Sequence, residues 1–84
     1  MSDTKIGVVT HYYDKIQVAI LELSADLKIG DSIKFVQDGA DLYEQKVDSM
    51  QVEHNSIDSA KEGDVIGLKV ENEVKEGTLV FRVE

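Results

Sequence analysis

The sequence contains no cysteine. Disulfide bonds, thiolate chemistry and zinc sites built on cysteines of this chain are therefore excluded, so the fold must rest on its apolar core. Proline is also absent, and no low-complexity segment occurs. No apolar run approaches the ~20 residues of a membrane span, and the N-terminal residues lack the segments of a secretory signal. These absences predict a cytoplasmic protein, and the initial Met1 favours a stand-alone chain over an excised domain.

Basic residues are few. Nine lysines and arginines stand against 17 acidic residues, which gives a formal charge of −8. Such a charge keeps a domain soluble and repels polyanions at long range. The basic residues are scattered, and no segment resembles a basic arm. Direct RNA binding is therefore the least favoured binding function.

Residues that favour helices are also scarce. The chain has four alanines and six leucines, against eighteen isoleucines and valines, which fit a pleated sheet better than a helix. At 84 residues the sequence predicts a single all-β domain, residues 1–84, with a compact core and little room for an active-site cleft.

What the chain does contain is a turn that recurs three times. Residues 27–35 (LKIGDSIKF), 61–70 (KEGDVIGLKV) and 75–83 (KEGTLVFRV) each begin near a Lys-x-Gly turn and continue as an apolar run. Glycine supplies a positive φ, aspartate can bond the neighbouring backbone, and the alternating apolar residues suit a half-buried strand. We assign the following residues to structural turns: Gly30, Asp31, Gly63, Asp64 and Gly67.

Alternating apolar residues predict further strands at residues 6–13 and 16–23, which we expect to form a hairpin. Residues 42–54 are too irregular for one strand, and the alternation changes phase between Val47 and Met50, as at a bulge or corner. Ile57 and Ala60 have helical spacing and predict a single helical turn within residues 56–62. Six or seven short strands with turns about every ten residues indicate a small barrel or sandwich.

No group of residues has the spacing of an active site. His11 and His54 show neither the His-x3-His nor the His-Glu-x2-His spacing of metal ligands. No serine lies in a Gly-x-Ser-x-Gly motif, and pairs of carboxylates are too common in so acidic a chain to single one out. We therefore expect no enzyme activity, no metal and no cofactor.

Residues 47–70, VDSMQVEHNSIDSAKEGDVIGLKV, resemble the second domain of elongation factor 1 alpha and related translational GTPases. The resemblance implies a closed antiparallel Greek-key β-barrel of the translation-factor domain 2 type. The chain is also similar to the small barrels at the C-terminus of U32-family peptidases, in which a strand like residues 9–13 opens the domain. The positions that match the elongation-factor pattern are Val47, Ser49, His54, Ala60, Gly63, Asp64 and Gly67, with Ile57 and Ile66 as close equivalents.

The sequence also departs from the elongation factors. Gln51 replaces a glutamate and Glu53 a second histidine, near the place where those factors hold the aminoacyl end of tRNA, which argues against tRNA binding. The Gly-x4-Gly-Lys-Ser/Thr loop that binds nucleotide phosphates is absent, so we expect no nucleotide hydrolysis.

These observations predict a non-catalytic interaction module that docks to a protein or ribonucleoprotein partner. One alternative is an accessory domain of a U32-type peptidase or RNA-modification system, and another is direct RNA binding. The adjacent Tyr12 and Tyr13 can present one ring to a partner, or one can cap the barrel while the other covers neighbouring strands. The candidate partner-binding residues are His11, Tyr12, Tyr13, Gln51, Glu53 and His54.

Overall fold

The computed structural model describes residues 4–53 and 55–83, and this part of the chain consists of ten β-strands joined by turns. The all-β prediction is therefore confirmed. The strands outnumber the six or seven predicted because residues 27–28, 55–57 and 59–60 form additional short strands. The strands are β1 (Thr4–Tyr13), β2 (Val18–Leu23), β3 (Leu27–Lys28), β4 (Ser32–Gln37), β5 (Ala40–Lys46), β6 (Met50–Val52), β7 (Asn55–Ile57), β8 (Ser59–Ala60), β9 (Val65–Lys69) and β10 (Leu79–Arg82).

Eight of these strands form one antiparallel sheet in the order β5-β4-β10-β1-β2-β9-β6-β7, and β3 pairs with β8 in a second, two-stranded sheet. Three hairpins, β1–β2, β4–β5 and β6–β7, supply neighbouring strands, while β10 returns to lie between β4 and β1. The β4–β5 hairpin turns on Asp38 and Gly39, both at positive φ, as expected for an Asp-Gly turn between antiparallel strands.

Strand β1 departs from simple alternation. Its register shifts between Lys5 and Gly7 against β10, and again between Val9 and His11 against β2. Each bulge inserts a residue and bends the strand. Because the first bulge changes the alternation before Val9, Ile6 and Val9 both reach the core, although they would lie on opposite faces of a regular strand.

The core combines aliphatic side chains from nearly every strand with Phe35, whose ring stacks on that of Tyr43 with centroids 4.9 Å apart. Because these side chains exclude water from one shared interior, their burial is the main source of stability. The remaining members of the cluster are Ile6, Val9, Ala19, Leu21, Leu23, Leu27, Ile33, Val47, Met50, Ala60, Ile66, Leu68, Val70, Val74 and Val80.

The two end strands of the large sheet, β5 and β7, are not joined by a ladder within the described residues. A few backbone hydrogen bonds nevertheless connect the regions next to these two strands. Val47, just after β5, donates to Asp31 O over 2.8 Å and accepts from Gly30 N over 2.9 Å. The adjacent Ile29 N donates to Asp58 O, between β7 and β8, over 2.9 Å. The turn after β3 therefore connects the two sheet edges.

The side chain of Gln45 connects β5 to the end of β9. It is only 8% exposed, and its Nε2 donates to Lys69 O over 3.1 Å while its Oε1 accepts from Glu71 N over 3.0 Å. The Tyr43 hydroxyl donates to the same Oε1 over 2.9 Å. Burial raises the pKa of Tyr43 above its usual value. A buried amide thus provides hydrogen bonds where the backbone ladder is interrupted.

Two local predictions were wrong. The segment predicted as a helical turn forms β7 and β8, with a bend at Asp58, and Ala60 pairs with Leu27. Apolar residues three positions apart also arise when two short strands flank a bend, which is the reason for the error. The second strand begins at Val18 rather than Ile16, which lies in the preceding turn and is 59% exposed.

Within residues 4–53 and 55–83, no helix is long and apolar enough to cross a membrane.

Candidate docking groove

The three recurring turns, at residues 28–31, 61–64 and 75–78, share one hydrogen-bonding pattern. In each, the N–H of the fourth residue donates to the carbonyl of the first lysine, over 3.2, 3.0 and 3.1 Å respectively. The side chain of the fourth residue, Asp in the first two turns and Thr in the third, accepts from the N–H of that lysine over 3.1, 2.9 and 3.3 Å. Each turn therefore satisfies its own backbone groups.

Gly30 and Gly63 are the third residues of the first two turns, with φ of +96° and +91°, and Asp31 and Asp64 are the fourth. A side chain at such a φ is strained, so glycine suits both positions. Gly67, which we grouped with the turns, lies instead within strand β9.

A groove of about 410 Å³ crosses the outer face of β1, β2, β9 and β6. The register explains which residues meet there: Tyr13 lies opposite Val18 across β1 and β2, and Ile20, Gly67 and Gln51 lie in one row across β2, β9 and β6. The other lining residues are Ile16 and Glu53.

Gly67 forms the floor of this groove. A Cβ placed there would lie 3.3 Å from Val18 Cγ1 and 3.4 Å from Gln51 Cγ, so these two side chains closely flank the glycine. The missing side chain leaves a depression between them. An apolar side chain of a partner can therefore enter more deeply here than on a fully substituted sheet face.

Two apolar side chains stand at the groove with large exposed surfaces: Tyr13 is 48% exposed and Ile16 is 59% exposed. The His11 ring contacts Tyr13 edge to face, with centroids 4.5 Å apart. His11 Nδ1 in turn donates to Glu76 Oε2 over 3.0 Å. His11 does not line the groove, but these contacts hold the tyrosine ring in position.

The structure thus brings together three of the candidate partner-binding residues: Tyr13, Gln51 and Glu53. Glu53 follows β6 with φ of +50°, which is uncommon for a residue other than glycine. Tyr12 instead is half-buried and packs against the core. His54 lies outside the described residues.

Ile16, Val18 and Ile20 line the groove but were absent from the sequence-based candidates. Ile16 was assigned to the buried pattern of a strand, although its position directly after Asp14 and Lys15 is a signal that it belongs to a turn. The groove as a whole offers aliphatic and aromatic surface with a few polar groups, a composition typical of the centre of a protein interface.

Within the part of the chain that the structure describes, no group of three or more His, Cys, Asp or Glu side chains could hold a metal ion.

Comparison with known proteins gives three findings. No protein-family profile matches the chain. An uncharacterized protease of Methanocaldococcus jannaschii is 40% identical over 77 residues, which are 92% of this chain and 19% of the relative. The chain therefore spans about a fifth of the length of that relative.

Solved structures with the same fold come from the C-terminal domain of a Geobacillus thermoleovorans protein described as a U32 peptidase. One superposes with a TM-score of 0.88 and 17% identity, covering 96% of this chain and 93% of that domain. Its selenomethionine variant gives 0.84 and 18%, covering 90% and 95%. These similarities show a shared fold and do not confirm the elongation-factor resemblance.

Proposed function

We propose that the chain is a non-catalytic accessory domain that acts with a U32-type enzyme. The observation that carries this proposal is the 40% identity to a segment that makes up 19% of a protease. The remaining four-fifths of that relative offers room for a catalytic unit, whereas this chain corresponds to the small segment. The fold shared with U32 C-terminal domains supports the same assignment. The reaction of the partner, whether peptide cleavage or RNA modification, is then carried out by the partner's own residues.

The proposed docking surface is the groove on β1, β2, β9 and β6. Tyr13 and Ile16 provide exposed apolar surface beside the depression over Gly67, and Gln51 and Glu53 provide polar groups. Interfaces commonly gain most of their affinity from a few aromatic or aliphatic residues that become buried, surrounded by polar contacts. This arrangement suits a protein surface that projects an aliphatic side chain.

The charge of the chain adds a second condition on the partner. At −8, the domain attracts a positively charged surface and repels an acidic one. We therefore expect the docking face of the catalytic partner to carry lysine or arginine around its apolar contact. Attraction of this kind speeds association and weakens as salt is added.

We also propose that the domain forms a closed Greek-key barrel. A closed barrel has no free sheet edge through which the domain could aggregate. Its support is two sets of hydrogen bonds made by β5 and the residue after it: those of Val47 to the turn after β3, and those of the Gln45 side chain to Lys69 and Glu71 at the end of β9.

The proposal is tested by mixing the purified chain with a U32-type catalytic chain encoded in the same genome. We expect the two to co-elute in size-exclusion chromatography at low salt, and the chain alone to show no peptidase activity. Separate elution at micromolar concentrations, or proteolysis by the isolated chain, would contradict it.

A further inference from the structure

We propose that Glu53 selects the partner of the docking groove by pairing with a lysine or arginine side chain of that partner. This inference rests on the proposed function and adds to it the residue that discriminates between partners. Among the described residues that line the groove, Glu53 is the one with a charged side chain. The cation of the partner lies beside the aliphatic side chain that enters over Gly67.

The backbone at Glu53 has a conformation that glutamate does not favour. Val52 pairs with Asn55, so a two-residue connection joins β6 to β7, and Glu53 is its first residue, with φ of +50°. Glycine, asparagine and aspartate are the residues that favour such a position. The β4–β5 hairpin follows this preference, with Asp38 at the corresponding position and φ of +53°. A residue that its own backbone disfavours is common at functional sites.

The Glu53 carboxylate is not engaged within the domain. The residue is exposed, and within residues 4–53 and 55–83 its carboxylate makes no hydrogen bond or ion pair. Glu76, by contrast, accepts a hydrogen bond from His11 over 3.0 Å. No contact of the Glu53 side chain inside the described structure offsets the unfavourable backbone, which points to a contact with another molecule.

The groove itself supplies no positive charge. None of the described residues that line it is basic, and Lys28, Lys61 and Arg82 line a separate cleft of about 620 Å³ beside β3 and β8. Glu53 follows β6 at one side of the groove, whereas the Tyr13 ring belongs to β1 at the other. The groove therefore presents apolar surface with a negative charge on its β6 side.

This arrangement selects for a cation when the groove is covered. A partner that fills the groove removes water from around the carboxylate, and a charge that loses water without gaining a partner is costly. A lysine or arginine at that place replaces the lost water with charge-assisted hydrogen bonds. An apolar residue leaves the carboxylate unpaired and an acidic one repels it, so partners with either bind more weakly.

The test is a calorimetric titration of the U32-type catalytic chain with the full 84-residue chain and its variants at low salt. Glu53→Gln removes the charge and keeps the shape of the side chain, and we expect it to bind about tenfold or more weakly. Glu44→Gln is the matched control, because Glu44 is also exposed but lies on β5, outside the groove. It changes the net charge by the same amount and should bind within about twofold of the wild type.

Glu53→Asn separates a binding role from a structural one. Asparagine suits the positive φ of this turn, so we expect a higher midpoint of urea denaturation than for the wild type. The same variant lacks the charge and should bind about tenfold or more weakly. A glutamate kept only for the turn would not produce these opposite changes.

Weaker binding by both Glu53 variants, with the control unchanged, supports the proposal. Wild-type affinity in Glu53→Gln would overturn this inference and leave the proposed function standing. Equal losses in Glu44→Gln and Glu53→Gln would also overturn it, because net charge alone would then explain the effect. A lower urea midpoint in Glu53→Asn would overturn it as well, since the glutamate would then serve the turn. Absence of binding by the wild type would overturn both proposals.

Discussion

The Lys-x-Gly turns are the part of the chain in which single residues determine local structure most directly. The turns share the Lys-x-Gly sequence and also the same hydrogen bonds. In each, the carbonyl and the N–H of the lysine are both bonded to the residue three positions later. The sequence could predict the glycine conformation and the role of the aspartates as turn residues. It could not predict that Lys28 and Lys61 line the same cleft, because that depends on the pairing of β3 with β8.

Replacement of Gly63 by alanine tests the turn geometry. At φ of +91° a Cβ is strained, although nothing lies within 4 Å to obstruct it. We expect Gly63→Ala to lower the free energy of unfolding by about 1–2 kcal/mol, as measured by urea denaturation. Gly63→Asn is the matched control and should lose less, because asparagine tolerates left-handed conformations better than alanine. Equal stability of Gly63→Ala and the wild type would contradict this account.

Tyr43 provides a prediction on pH. Burial raises its pKa above 10.0, so in the folded state the phenol keeps its proton at a pH where the unfolded chain has begun to lose it. The folded state then binds more protons, and stability falls as pH rises above about 10. The Tyr43→Phe variant loses the hydrogen bonds to Gln45 and Asn72, so we expect it to be less stable than the wild type near neutral pH. It has no phenol hydroxyl, so its stability does not depend on this titration.

The stability difference between wild type and Tyr43→Phe should therefore shrink as the pH rises through this range. Denaturation curves collected at a series of pH values measure it. A difference that stays constant or widens would show that burial of the phenol does not control this titration.

Among the elements, strands with clean alternation were predictable and irregular ones were not. Ile33 and Phe35 in β4 and Ile66 and Leu68 in β9 are buried at every second position, which is the pattern that sequence analysis detects. Strand β1 breaks this pattern twice because each bulge moves the following side chains to the other face. The short strands β7 and β8 contain too few residues to show a period.

The side-chain bridge made by β5 leads to a test at the level of elements. Gln45→Ala leaves Glu71 N and Lys69 O without their buried partner, and each unsatisfied group of this kind costs about 1–3 kcal/mol. We expect lower stability and faster hydrogen exchange at Glu71. Glu44→Ala, an exposed neighbour on the same strand, should change stability by less than about 0.5 kcal/mol. Comparable losses in both variants would mean that the Gln45 side chain does not stabilise the contact between β5 and the end of β9.

For the whole molecule, the composition predicted the class of fold but not the surfaces. Tyr13 was a candidate as an aromatic residue and Gln51 and Glu53 because of the elongation-factor resemblance, and only the sheet order β1-β2-β9-β6 places all three around one groove. Ile16 was missed because it fits the alternation of residues 16–23, which predicted a buried strand position. The net charge of −8 could be read from the sequence, whereas only the fold shows that several basic residues line the cleft beside β3.

The central claim, that the groove docks a U32-type catalytic chain, is tested most directly by calorimetric titration of that chain with three forms of the domain. We expect wild type to bind, Ile16→Ser to bind about tenfold or more weakly because an apolar anchor is lost, and salt to weaken both. Leu42→Ser is the matched control, since Leu42 is also exposed, at 42%, but lies on β5 at the other end of the sheet. Wild-type affinity in Leu42→Ser together with the loss in Ile16→Ser is the predicted result. Equal affinity of Ile16→Ser and wild type, or no heat of binding with any form, would contradict it.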